Sequence, residues 1–179
     1  HATNENGDKV RALPGARAVC PVCGGAVTAK CGKIMVWHWA HESVAECDPW
    51  SEPIGAWHMM WQGIVRPEFC EVVIRPDPSV DWIGSHRADI FGNGGVIVEL
   101  QASPISVDTI IEREAFYERM IWLFDVRDAR ERISLSWGQS GVVKFRWRHA
   151  RKSIANAQAP VFLDDGEHII EVKKIHNDG

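Results

Sequence analysis

The stretch Cys20-Pro-Val-Cys23-Gly-Gly, followed by His38-Trp-Ala-His41, constrains this chain more than any other feature. A Cys-x-x-Cys turn lets two thiolates point at one ion, and the two imidazoles follow close behind. A Cys2His2 set suits tetrahedral zinc, which accepts both sulfur and nitrogen donors. The expected ligands are Cys20, Cys23, His38 and His41. The spacing between the histidines is one residue shorter than in usual zinc fingers, so Cys31 and Cys47 stand as rival ligands, for instance replacing one histidine. With four protein donors the Zn2+ is expected to be structural, contributing on the order of 10 kcal/mol to folding.

Length and charge bound the rest. A chain of 179 residues is expected to hold one ordinary domain with a small appended module. The five cysteines are an odd number gathered toward the N-terminus, which favours metal binding over a disulfide framework and a reducing cytoplasm as the compartment. No secretory segment is read, and no run of about 18 apolar residues would span a membrane. The net charge of −4 excludes a global attraction to nucleic acid, so such a partner requires a local basic patch. The chain opens on His1, which reads as a processed or expression-derived end. Residues 1–17 (HATNENGDKVRALPGAR) are polar without period and are expected as a flexible tail outside the fold. Residues 18–50 form the zinc module, and 51–175 the main domain.

Within the main domain, Ser and an early Pro open a helix over 51–64. CEVVIR (70–75) predicts a strand ending in the turn PDPS, HRADIF (86–91) a second, and VIVELQ a third after the turn signal GNGG. Ser106 then caps a helix with Asp108 in its first turn, and Val107, Ile110, Ile111 and Ala115 make its apolar stripe. IWLFDV (121–126) fits a buried parallel strand. ISLSW and VVKFRW pair around GQSG, and the last stretch, PVFLDDGEHIIEVKKI, forms two strands joined at Asp-Gly. The order predicts a mixed α/β sheet.

The chemistry concentrates on the second and third of these strands. Asp89 and Glu99 are brought near one another if the two strands form a hairpin, and Glu99 and Gln101 leave the same face of theirs. Two carboxylates with the Leu100 carbonyl between them form an oxygen site suited to Mg2+ or Mn2+. A polar strand face is the alternative on composition alone.

The order Asp89, then Glu99-x-Gln101, preceded by a helix with Glu52 and followed by helix and strand, resembles the PD-(D/E)XK nuclease fold. The resemblance is closer still to the competence protein CoiA-like family. CPVCGGAV, WHWAHES, CDPWSE, HRADI, VIVELQASPI and EREAFYERMIWLFD resemble that family's motifs in order, over roughly residues 18–172. The resemblance implies a restriction-endonuclease-like mixed sheet flanked by helices, an N-terminal zinc finger, and metal-dependent cleavage of DNA. Asp89 and Glu99 would be the Mg2+ or Mn2+ ligands, and Glu52 the supporting acid. His58 and His86 sit beside the motifs and would assist proton transfer, or serve as structural histidines. Gln101 stands where the wider superfamily carries lysine: an amide orients water but brings no charge to the developing phosphoryl anion. A slow enzyme and a DNA-binding or processing factor that keeps the fold are therefore the two expectations.

Asp165 with Glu171-Val-Lys173 also satisfies the literal acid…E-x-K pattern, yet reads as a terminal hairpin with solvated charges. In VVKFRWRHARK, Lys144, Arg146 and Arg148 alternate with Phe145 and Trp147, giving a strand one basic face, with Arg151 and Lys152 just beyond. Such a row tracks phosphates largely without reading bases. The expected partner is DNA, single- or double-stranded, with no membrane; protein partners or a homo-oligomer stay open.

Overall fold

Short β-branched runs punctuated by turn residues make strands the dominant element. The computed structural model describes residues 1–34, 36–43, 47–50, 54–76, 84–137 and 143–174. The chain forms two compact units, residues 1–92 and 93–179.

In the N-terminal unit, β1 (Ala2–Thr3), β2 (Lys9–Val10), β3 (Arg17–Val19), β4 (Ala26–Lys30) and β5 (His38–His41) form one antiparallel sheet in the order β2-β1-β3-β4-β5. Residues 1–17, expected as a tail, therefore supply two strands and the start of a third. Ala2 is 2% exposed and packs with Cys20 and Val27. Asn4 Oδ1 closes the β1–β2 turn by accepting the N–H groups of Asn6 and Asp8 at 3.0 and 2.8 Å. The Trp39 indole N–H donates to the Val10 carbonyl at 3.1 Å. Two-residue strands carry no readable period, which is why the stretch looks structureless as sequence.

The same unit continues with α1 (Ala56–Gly63), β6 (Cys70–Ile74) and β7 (His86–Phe91). Residues 51–53, where the helix was expected to begin, lie outside the described residues, and α1 starts after Gly55 with no side-chain cap. It buries Trp57, His58 and Gln62. The 58/62 spacing of four sets two polar side chains on one buried face. β6 and β7 pair antiparallel, with Cys70 opposite Ile90 and Val72 opposite Ala88.

The C-terminal unit holds β8 (Ile97–Gln101), α2 (Val107–Tyr117), β9 (Met120–Asp125), β10 (Ile133–Trp137), β11 (Val143–Trp147), β12 (Val161–Asp164) and β13 (Ile169–Val172). β9 lies between β8 and β12, parallel to both, and β13 adds antiparallel to β12. Flanked on both sides, β9 buries Trp122, Leu123 and Phe124, as its unbroken apolar run implies. The connection from β8 to β9 passes through α2, whose cap is as expected: Ser106 Oγ accepts the Thr109 N–H at 3.0 Å.

The apolar stripe read for α2 holds only in part. Ile110 is fully buried, but Ile111 is 54% exposed and Ala115 is exposed. The buried ridge is Ile110, Arg113 and Tyr117. An arginine replaces the expected aliphatic positions because it meets a buried carboxylate, described below. β10 and β11 form the expected hairpin, whose GQSG turn falls outside the described residues. The result is a mixed α/β protein with several sheets and, among the described residues, two α-helices. None of its described helices is long and apolar enough to cross a membrane.

Candidate metal centres

The first centre is the Cys-x-x-Cys knuckle between β3 and β4. The Cys20 N–H donates to the Gly25 carbonyl and the Gly24 N–H to the Cys20 carbonyl, both at 2.8 Å, folding the turn so that both thiols face one point. Gly24 adopts φ +72°, and a Cβ at Gly25 would lie 3.2 Å from Cys23 Sγ. A side chain there would press on a ligand. Cys20 and Cys47 Sγ lie 3.5 Å apart, Cys23 Sγ lies 3.4 Å from His41 Nε2, and Cys47 Sγ lies 3.5 Å from the same nitrogen. Bond lengths to tetrahedral zinc imply edges of roughly 3.8 Å between sulfurs and about 3.5 Å between sulfur and nitrogen. Cys20, Cys23, His41 and Cys47 thus fit a structural metal such as Zn2+.

The protonation behaviour agrees with that fit. Burial and the neighbouring thiols Cys20 and Cys23 push Cys47 up to about 12, while the Gly25 N–H holds Cys23 below its ordinary value. Crowded thiolates repel one another unless a cation sits among them.

His38, expected as the fourth ligand, is replaced by Cys47. On β5 His38 and His41 are three residues apart, so an extended strand points them to opposite faces. His38 Nδ1 instead lies 2.9 Å from the Val36 carbonyl. Cys31, the other rival, lies outside the cluster.

Cys47 is followed directly by a second anchor. Asp48 is 6% exposed and uses both oxygens: Oδ1 lies 2.9 Å from His86 Nδ1 and accepts the Trp50 N–H at 3.0 Å, and Oδ2 accepts the Arg87 N–H at 2.9 Å. Trp50 stacks on the His86 ring, with centroids 3.4 Å apart. Burial would raise the Asp48 carboxyl, but these bonds outweigh it and hold it below the ordinary value. Of the two roles read for His86, proton helper or structural histidine, these contacts fit the structural one. It sits three residues from Asp89 on β7 and points to the other face.

The second centre lies on the face of β7 that carries Arg87 and Asp89. His58 Nε2 is 2.9 Å from Asp89 Oδ1 and 3.9 Å from Glu71 Oε1. Glu71 is 3% exposed, and Arg87 Nε lies 2.7 Å from its Oε2. Gln62, one turn beyond His58, donates to Glu71 Oε1 and to the Asp89 carbonyl. Glu71 falls between the registered pairs Cys70–Ile90 and Val72–Ala88 with φ +55°, a left-handed conformation costing on the order of 1–3 kcal/mol. Burial would lower the Arg87 guanidinium, but Glu71, Asp48 and Asp89 together hold it above its ordinary value. His58, Glu71 and Asp89 offer one imidazole nitrogen and two carboxylate oxygens that lie within 4.8 Å of one another. Neither Glu71 nor Arg87 stands out in the sequence, where CEVVIR and HRADIF read simply as strands.

The other expected acids are placed as follows. Glu52 lies outside the described residues. Glu99 belongs to the C-terminal unit, is 3% exposed, and meets Arg113 NH1 at 2.8 Å. Gln101 is 1% exposed and donates through Nε2 to the Ser103 carbonyl at 3.0 Å, fastening the turn into α2. The strand face carrying Ile97, Glu99 and Gln101 is therefore buried, not solvated.

On β11, Lys144 and Arg146 are exposed while Phe145 and Trp147 are half-buried, as the alternation predicts, and Arg148 just beyond the strand is exposed as well. Arg151 is engaged within the chain, with Ala102 O at 3.1 Å and Asp128 Oδ1 at 3.3 Å. Lys152 is exposed at the start of a short 3-10 turn. The second acid…E-x-K pattern is a hairpin, as read: Glu171 pairs with Lys173 on the surface. Asp165, however, is buried, with its carboxylate accepting the N–H groups of Glu167 and His168.

Fold and sites together define a mixed α/β protein with a Cys3His cluster that fits a structural metal. Residues 3–49 match the family model for competence protein CoiA, N-terminal domain. That span runs from β1 through all four knuckle ligands. Neither curated proteins nor solved structures offer a match to the chain.

Proposed function

We propose that the chain is a nuclease-like DNA-processing protein of the CoiA type, in which His58, Glu71 and Asp89 hold a divalent cation for phosphodiester hydrolysis. The observation that carries this reading is the convergence of one imidazole and two carboxylates on a strained strand position. The CoiA match over residues 3–49 supports a competence-related setting. Bound Mg2+ or Mn2+ would polarise the phosphodiester and acidify a water. The imidazole favours Mn2+ over Mg2+, which prefers oxygen ligands alone. His58, whose Nε2 lies 2.9 Å from Asp89 Oδ1, would be the nitrogen ligand of that cation. Glu99 and Gln101 on β8 follow Asp89 in the Asp…Glu-x-Gln sequence order of a PD-(D/E)XK-like fold. Lys144, Arg146 and Arg148, with Lys152, would hold the DNA backbone.

One observation favours the non-catalytic reading. Glu71 already meets Arg87 and Gln62, and Glu99 already meets Arg113, so much of their negative charge is balanced within the protein. The discriminating experiment is incubation of plasmid and single-stranded DNA with Mg2+, with Mn2+ and without added metal, using the parent protein and Asp89→Asn. Mn2+-dependent cleavage lost in Asp89→Asn supports the enzyme. Binding without cleavage leaves a processing factor.

A further inference from the structure

We propose that the β10–β11 hairpin is a two-stranded ribbon that seats in the major groove of duplex DNA, with Arg146 and Ser134 at the base edges and Lys144 and Arg148 on flanking phosphates. The inference rests on the DNA reading above, gives Arg146 a base edge in place of a phosphate, and is independent of the metal chemistry.

Strand parity divides the hairpin into two faces. Ile133, Leu135, Trp137, Val143, Phe145 and Trp147 share one, and Ser134, Ser136, Lys144 and Arg146 share the other. The first face is half-buried apart from Trp137 at its end, whereas all four residues of the second are exposed. The Arg148 N–H donates to the Arg132 carbonyl at 3.0 Å, which carries the ladder one pair past Trp147, so Arg148 continues the polar row. None of the three cations makes an ion pair among the described residues. No acidic residue occurs from Ile133 to Trp137 or from Val143 to Lys152. In a chain of net charge −4, this face is where a polyanion is attracted.

Width, donors and the absence of aromatics on this face decide which polyanion. Among the described residues no third strand flanks the ribbon, and paired strands lie about 4.8 Å apart. A ribbon of that width enters the major groove of B-form DNA, which is about 12 Å wide. A guanidinium pairs bidentately with guanine O6 and N7, and a serine hydroxyl suits any base. Ser134 stands directly opposite Arg146, a small side chain that leaves the guanidinium room to reach the groove floor. Ser136 Oγ donates to the Lys144 carbonyl at 3.3 Å, which holds the second hydroxyl close against the ladder. Trp137, Phe145 and Trp147 all belong to the other face, so the polar face offers an unpaired base nothing to stack on. That disfavours a single strand. An RNA duplex is disfavoured too, because its major groove is too deep and narrow for side chains to read.

The test begins with selection from a randomised DNA duplex pool by the full chain, without divalent cation. It is expected to return a site with guanine preferred at one position. On that labelled duplex, Arg146→Ala should weaken binding roughly 5- to 150-fold by fluorescence anisotropy and remove the preference at that position. Replacing the guanine by 7-deazaguanine, which lacks the N7 acceptor but still pairs, should weaken the parent protein and leave Arg146→Ala unaffected. This change is made in the DNA, so the result does not depend on how a variant folds. The double variant Lys144→Gln, Arg148→Gln should weaken all duplexes alike and lower the salt slope by about 2. The single strand and an RNA duplex of the same sequence should bind more weakly than the DNA duplex. Binding of DNA with no sequence preference, or without sensitivity to 7-deazaguanine, overturns the inference and leaves the DNA reading standing. Equal affinity for the single strand or the RNA duplex overturns it as well. If the parent protein binds no DNA at all, the DNA reading falls and the ribbon falls with it.

Discussion

Asp48 and His86 meet at 2.9 Å, Oδ1 to Nδ1, with both side chains buried and Trp50 stacked over the imidazole. Because Cys47 precedes Asp48, this contact fastens the metal knuckle to β7. Asp48→Ala removes the acceptor for His86 and for two backbone N–H groups at once. It is expected to lower stability by roughly 3 kcal/mol, read by urea denaturation followed through tryptophan fluorescence.

The same carboxyl sets an acid limit. Its pKa in the fold lies below the ordinary value of 3.8, so its contribution is fully present above that value and is lost as pH falls through the folded pKa. Thermal unfolding midpoints should therefore decline below about pH 4, and Asp48→Asn should decline less over the same interval. Equal slopes in the two proteins would remove Asp48 from the explanation.

Metal content separates the two histidines of β5. Protein produced in zinc-supplemented medium should bind one Zn2+ in the knuckle by elemental analysis, with Cys47→Ser and His41→Ala losing it. His38→Ala should retain it. Co2+ substitution should give the absorption of a tetrahedral thiolate site in the parent and in His38→Ala, but not in Cys47→Ser.

In the C-terminal unit, Arg113→Met leaves the buried Glu99 carboxylate without this guanidinium. We expect a loss of about 3–5 kcal/mol, with Glu99→Gln in the same protein restoring part of it. Additive losses in a denaturation cycle would show that the pair is not coupled.

At the second centre, His58→Ala removes a ligand of the proposed cation and should lower any Mn2+-dependent cleavage by about 10²-fold or more. Glu71→Gln should weaken Mn2+ affinity while leaving Zn2+ content at the knuckle unchanged. Parallel loss of both metals would mean that the variant had unfolded the unit.

The pattern of what the sequence disclosed follows from parity and burial. Cys20 and Cys23 declare themselves because a Cys-x-x-Cys-Gly turn has few other uses. The fourth ligand stayed open among His38, Cys31 and Cys47, because sequence spacing does not show that the histidine pair lies on a strand, where an odd separation places side chains on opposite faces. The long apolar run of β9 was legible since both its edges are covered. Arg113 was not, because a buried arginine looks like a surface residue until its carboxylate partner is located. Glu71 was hidden for another reason: nothing in CEVVIR signals a reversed φ. Asp48 lay within the CDPWSE motif, yet a single acid beside a cysteine carries no sequence mark of three converging hydrogen-bond donors.

β7 serves two clients from its two sides: His86 on one faces Asp48, while Arg87 and Asp89 on the other face Glu71 and His58. The Cys3His knuckle is consequently not a detachable cassette. A polypeptide begun at residue 51, the boundary that composition suggests, would lack Asp48 and Trp50. It would leave the His86 imidazole and the Arg87 amide stripped of those partners on the very strand that carries Asp89. Swapping knuckles between related proteins should therefore succeed only when the Asp48-Pro49-Trp50 segment that follows Cys47 travels with them.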